Sequence, residues 1–244
     1  MAVEQHYETL LAEVYDWMQG GWMPRVEAMR TLFAEHEVRG PGTAVDLGAG
    51  TGYQSIPLAE AGFDVVAVDV SDSMLRTLQE KAGGLSIRTQ RGDLRTFDSF
   101  LQKPPELIVC MGDTLSHLPS RDDATQLVRT AAANLSQGGR LVLQFRTLSN
   151  LPAGDGRFLP IRSDEDRIFT CFLEEVSEEY VRVHDVLHTR DGTGFTQRVS
   201  SYTKTRLDRG WLDAALAAAG LQTAALQEQR GLITCVASKA VGRA

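Results

Sequence analysis

"AVDLGAGTGYQS", residues 44–55, joins an apolar strand to a loop with glycine at alternate positions, Gly48, Gly50 and Gly52. It contains no lysine, which a P-loop phosphate cradle requires, and its G-x-G-x-G spacing is not the G-x-G-x-x-G of a dinucleotide site. Glycine lets the backbone take a positive φ and approach a ligand closely. In an open parallel sheet the ligand lies outside the carboxyl ends of the strands, where this loop would stand. Asp46, two residues before Gly48, adds a negative charge that repels a pyrophosphate and favours a cationic ligand.

Around this stretch, apolar strands and amphipathic helices alternate. "TAVDL" reads as a strand and "YQSIPLAEA" as a helix closed by Gly62. "DVVAVDV" is a second strand. "SDSMLRTLQEKA" is a helix capped by Ser71 or Asp72. "LSIRTQ" and "ELIVCM" make strands three and four. Ser120 and Asp123 form a capping box for the next helix, and "RLVLQF" is strand five. The alternation predicts an α/β fold, a parallel sheet with helices on both faces. Before it, residues 4–19 and 25–38 carry apolar side chains at helical spacing, split by Gly20, Gly21 and Pro24, and predict a helical cap over 1–40. After Arg146 the rhythm breaks. Three strand-like runs, with Asp191–Gly192 as a hairpin signal, predict an antiparallel insertion within 147–206, its strands from about residue 164. A helix and a closing strand pair follow. The chain reads as one domain, 1–244, with a core of 41–146 and 207–240.

The bulk properties exclude several classes. The 244 residues, 43% apolar, suffice for a sizeable core, and no run approaches the roughly 18 apolar residues of a membrane span. The net charge of −7 and the lack of a basic stripe argue against nucleic acid. Cys110, Cys171 and Cys235 are far apart and lack metal spacing, which predicts buried thiols in a reducing cytoplasm. His184 and His188 fall about 13 Å apart on a predicted strand, so no metal site is assigned.

Candidate ligand residues line up at the strand ends. Asp69 ends the second strand 23 positions after Asp46, where a carboxylate can accept both hydroxyls of a ribose. Asp93 in "RGDL" can accept from an exocyclic adenine amine, with Met74 and Leu94 sandwiching the ring. Together "VDLGAGTG", the acid of "VVAVDVS", "GDL" and "LIVCMGDTLSHL" resemble the class I S-adenosylmethionine-dependent methyltransferases. The resemblance implies a Rossmann-like seven-stranded sheet of order 3-2-1-4-5-7-6 with strand seven antiparallel. It implies S-adenosylmethionine as cofactor, held by Tyr15, Trp22 and Arg25 of the cap and by Asp46, Gly48, Ala49, Gly50 and Gly52 of the loop. Asp69, Val70, Met74, Gly92, Asp93, Leu94, Met111 and Gly112 complete the set.

"MGDTLSHLPS" further resembles the glycine N-methyltransferase-like branch. There the substrate-contacting asparagine and histidine fall on Asp113 and His117, and a carboxylate-holding arginine falls on Arg146. For the family's covering tyrosine, Tyr15, Tyr7 or Trp22 could serve. His117 reads as an orienting residue, or as a general base if the nucleophile is a hydroxyl. Asp113 in place of asparagine sets a negative charge beside the expected carboxylate pocket, which suits an amine cation or a substrate whose polar groups donate hydrogen bonds. The expected function is methylation of a small molecule, at nitrogen rather than oxygen. A nicotinamide-dependent oxidoreductase and a non-catalytic cofactor-binding protein are the alternatives, and a homodimer is left open.

Overall fold

The computed structural model describes residues 6–240. Its central sheet is built from β1 (Gly42–Leu47), β2 (Phe63–Asp69), β3 (Ile87–Arg91), β4 (Leu107–Cys110), β5 (Arg140–Arg146), β10 (Leu221–Gln229) and β11 (Leu232–Lys239). The order is β10-β11-β5-β4-β1-β2-β3, with β11 antiparallel to both β5 and β10 and the rest parallel. Numbered without the insertion, this is 3-2-1-4-5-7-6. β1 and β4 at its centre are buried almost throughout, as strands covered on both faces must be.

Helices cover both faces. α2 (Trp22–Glu35) and α3 (Ser55–Glu60) pack in one apolar cluster; α5 (Arg121–Asn134) and α6 (Arg209–Ala218) pack in the other. α4 (Asp72–Ala82) takes Ser71 as its N-cap, with the Ser71 hydroxyl accepting from the Met74 N–H, and ends on left-handed Gly83. In α5 the Ser120 hydroxyl accepts from the Asp123 N–H at 3.0 Å and donates to the Asp123 carboxylate at 2.5 Å, closing the expected box.

The cap departs from the sequence pattern. Where one helix is expected over 4–19, the chain forms a π-helical turn, Tyr7–Leu11, and a four-residue α1, Tyr15–Met18; residues 4 and 5 lie outside the described range. Leu10, Leu11 and Val14 are drawn into a cluster with Phe169 and Leu187 of the insertion, and this tertiary contact outweighs helical continuity. α2 starts at Trp22 rather than residue 25, because Pro24 sits in its first turn, where the missing N–H costs nothing.

The insertion has four strands instead of three: β6 (Phe158–Ser163), β7 (Arg167–Glu175), β8 (Tyr180–Asp191) and β9 (Gly194–Thr205), all antiparallel. Pro160 hides β6 in the sequence and is tolerated because β6 is an edge strand. The 191–194 hairpin forms with Gly192 at φ +59°.

Candidate active site

A cleft of about 570 Å³ opens at the carboxyl ends of β1, β2 and β3. The glycine loop and the β2 and β3 ends (Gly48, Gly50, Asp69, Val70, Met74, Gly92, Asp93, Leu94) line one end. The cap contributes Tyr7 and Tyr15, the 114–119 turn contributes Thr114, His117, Leu118 and Pro119, and the insertion contributes Tyr180, Thr203 and Thr205.

The three glycines do different work. All have positive φ, +78°, +52° and +94°. A Cβ on Gly48 would collide with Thr114, and one on Gly52 with the tip of Leu78, so these two are set by packing. Gly50 has nothing within 4 Å of such a Cβ and faces open cleft. Gly50→Ala is therefore expected to cost only about 1–2 kcal/mol of stability, from the left-handed backbone, while weakening adenosyl-ligand binding. Gly48→Ala is expected to cost more in urea unfolding. Equal stability losses would refute this division.

Asp69 organises the loop. Its carboxylate accepts from the Gly50 N–H at 2.8 Å and the Ser71 N–H at 2.9 Å, and burial raises its pKa. Asp93 caps the 3₁₀ turn Leu94–Phe100 and is gripped by Arg95, at 3.1 Å to one oxygen and 2.6 Å to the other. Arg95 holds Asp93 below the usual carboxylate range. Met74 and Leu94 both line the cleft, as the sandwich requires.

Other expected ligand residues stand behind the cleft rather than on it. Asp46 is buried, accepts from the Ser55 hydroxyl at 2.6 Å, and is pushed up to about 7, mainly by burial. Its second oxygen has no partner. It is thus not the exposed loop charge expected from the sequence. Ala49 and Met111 are core residues, and Gly112, at φ +67°, shapes the turn. Trp22 donates its indole N–H to the Thr51 carbonyl at 3.1 Å, pinning the loop from outside. Arg25 lies near the Tyr53 ring with a buried, unpartnered Nε.

The substrate-side expectations change most. Asp113 does not put an open negative charge at the pocket. It is buried at φ +71° and paired with Lys204, and it accepts from the Ser116 hydroxyl at 2.8 Å and the Arg146 N–H at 2.9 Å. Burial pushes its carboxyl up, but the Lys204 charge and hydrogen bond, together with the Arg146 N–H, hold it below the ordinary value. Lys204, on β9, is a site residue without a motif; proximity across 91 positions is a tertiary fact. Arg146 contributes its backbone, while its side chain is exposed and outside the cleft lining, so the expected carboxylate clamp is not assembled.

His117 does reach the cleft. Its Nε2 lies 3.5 Å from the Tyr7 hydroxyl, its Nδ1 is buried without a partner, and its ring leans on Tyr202. Burial, then Lys204, lower its pKa to about 3. The unfolded chain takes up a proton near 6.5 that the folded His117 refuses. The residue therefore costs stability as pH falls from 6.5 toward 3 and nothing above 6.5. His117→Gln is expected to flatten this acid limb in melting curves; an unchanged limb would refute the assignment.

The cap is fastened on both sides of the cleft. His6 contacts Asp185 at 3.0 Å and Ser200 at 2.6 Å on the insertion. Glu8 accepts from Ser71 and Ser73, and Asp16 accepts from Thr51, Tyr53 and Lys81. Among the described residues, no group of three or more His, Cys, Asp or Glu side chains is placed to hold a metal. Cys110 and Cys235 are buried; Cys171 is half-buried and its thiol donates to Asp185 at 2.8 Å.

These features fit an adenosyl amino acid. Gly50 leaves open space at the loop, and Asp69 retains acceptor capacity for a diol.

Residues 44–139 match the methyltransferase domain family. A glycine/sarcosine N-methyltransferase of Parasynechococcus marenigrum is 29% identical over 166 residues, covering 66% of this chain and 57% of the relative. The chain spans only about half the length of several such curated relatives. The CcbJ methyltransferase of Streptomyces caelestis superposes with a TM-score of 0.80 at 21% identity, over 96% of this chain and 98% of its own. CalS10, an amino pentose methyltransferase from Micromonospora echinaspora, superposes with a TM-score of 0.74 at 22% identity, over 93% and 95%. A methyltransferase-domain match over residues 44–139, lying on this strand order and this glycine loop, supports the reading of the chain as a class I S-adenosylmethionine-dependent methyltransferase.

Proposed function

We propose that the protein transfers a methyl group from S-adenosylmethionine to the nitrogen of a small-molecule amine, with residues 6–240 acting as one unit. The observation that carries this reading is the cleft itself. It joins the Gly50–Asp69 loop to His117 under a tyrosine cap. The named activities of the relative and of CalS10, both methyltransferases and one an N-methyltransferase, support it.

The chemistry the cofactor supplies when bound is an electrophilic methyl group on a sulfonium. The chain's part is to hold and orient. Asp69, with the Gly50 and Ser71 N–H groups already fixing its plane, is preset to receive ribose hydroxyls. Tyr7 and Tyr15 exclude water, and burial keeps both phenols protonated, Tyr15 at about 12 and Tyr7 well above its ordinary value. Such positioning supplies up to roughly 7–11 kcal/mol of a barrier in ideal cases.

Nitrogen is favoured over oxygen because, among the described residues, the acceptor side offers no base matched to neutral pH. His117, at about 3, is a weak base, and the Tyr7 phenol does not ionise. An amine needs only to arrive unprotonated. The surroundings that strip His117 of its proton act the same way on an ammonium bound beside it. In this arrangement His117 orients the acceptor nitrogen.

S-adenosylhomocysteine at 100 times its dissociation constant is expected to add about 2.7 kcal/mol, a melting rise of about 5–11 °C for a chain of this size. NAD is expected to add nothing. The reverse pattern would favour the oxidoreductase reading. With an amine acceptor, kcat is expected to rise with pH along the titration of the substrate, and His117→Asn should leave that limb in place. A loss of 10²-fold or more together with the limb would instead make His117 the base.

A further inference from the structure

Among the described residues, the cations on or beside the acceptor side of the cleft already have carboxylates. Arg95 is held by Asp93 and by Asp123 at 3.2 Å; Lys204 is held by Asp113. Arg182, opposite Thr203 in register, pairs with Glu174 at 3.1 Å. Arg146 points outside the lining. The unpartnered Arg25 Nε belongs to the cap, beside Tyr53. A carboxylate entering the acceptor side would lose water without gaining an unpaired cation, which is unfavourable.

Hydroxyls take the place of cations there. Tyr180 on β8 and Thr203 on β9 both line the cleft. Tyr180 pairs with Thr205, so Thr203 stands diagonally across on the same face, about 7–8 Å away. The Thr205 hydroxyl donates to the Leu118 carbonyl at 2.6 Å. The Tyr180 and Thr203 hydroxyls, by contrast, make no hydrogen bond to another described residue. The wall is braced behind them: the Tyr180 N–H donates to the Ser177 hydroxyl, and buried Arg206 donates to the Ser177 and Ser149 carbonyls. A fixed hydroxyl both donates and accepts, which suits a ligand hydroxyl.

Resting on the methyl-transfer reading, we propose that the acceptor is a hydroxyl-bearing amine without a carboxylate, and that Tyr180 and Thr203 read its hydroxyls. The glycine and sarcosine named for the relatives are then poor acceptors for this chain.

The test is calorimetry on the full chain saturated with S-adenosylhomocysteine. The probes are methyl glycosides of amino sugars bearing the amine at C2, C3 or C4, with glycine and sarcosine in parallel. At least one glycoside is expected to bind 10-fold or more tightly than either amino acid, a gap of about 1.4 kcal/mol. Tyr180→Phe and Thr203→Val should each weaken it by about 3- to 10-fold, with S-adenosylhomocysteine affinity unchanged as the control for folding. The proposal is overturned if glycine or sarcosine binds as well as the best glycoside. It is equally overturned if no glycoside binds at millimolar concentration, or if both substitutions leave binding unchanged. Failure of S-adenosylhomocysteine itself to bind, read before any acceptor is added, refutes the methyl-transfer reading and this one with it.

Discussion

Asp69→Ala is expected to weaken S-adenosylhomocysteine by about 10²–10⁴-fold. Two hydrogen bonds from ribose hydroxyls to a carboxylate are at stake, each worth roughly 1.5–3 kcal/mol. The substitution also releases the Gly50 and Ser71 N–H groups, so the loop that shapes the cleft loses its anchor. Asp69→Asn separates the two effects. An amide oxygen can still accept one of the backbone N–H groups, so stability should largely return while most of the affinity loss remains. Calorimetric titration of both variants, beside their urea midpoints, checks this. Wild-type affinity in Asp69→Ala would reduce Asp69 to a turn residue.

Lys204→Ala is expected to destabilise the fold by about 3–5 kcal/mol, because it leaves the Asp113 carboxylate buried without its cation. For a chain of this size that corresponds to a melting decrease of about 6–20 °C. The double variant Asp113→Asn, Lys204→Met is expected to recover most of the loss. Asparagine tolerates the positive φ of residue 113 and can still accept from the Ser116 hydroxyl and the Arg146 N–H. Lys204→Ala alone should raise the His117 pKa, since it removes a cation that holds it down and leaves the Asp113 charge that pushes it up. Histidine NMR titration reads that shift directly. If the double variant melts no higher than Lys204→Ala, the pair is not what stabilises the turn.

The two expectations differ in how visible they were before folding. The place of Asp69 was legible because it is local: a carboxylate at the end of a strand, a fixed distance after the glycine loop, in a pattern the parallel sheet imposes. The strand order and the capping of α4 and α5 were legible for the same reason, since apolar runs, N-caps and glycine stops act over a few residues. The insertion hairpin followed from Asp191–Gly192. β6 was hidden, because Pro160 lowers strand propensity and only pairing with β7 offsets it.

The acceptor side was decided by tertiary structure. Motif position put Asp113, His117 and Arg146 around one ligand, yet charge and burial give them different tasks. Asp113 is neutralised by a lysine 91 residues away, Arg146 turns outward at the end of its strand, and His117 is kept uncharged by its surroundings. Local sequence determined the sheet, its glycine loop and the acids at its edge, because short-range sterics and hydrogen bonding specify them. Which side chains share a cleft, and in what protonation state, was decided only when the insertion and the cap closed over it. Desolvation and ion pairing depend on neighbours that the order of residues along the chain does not reveal.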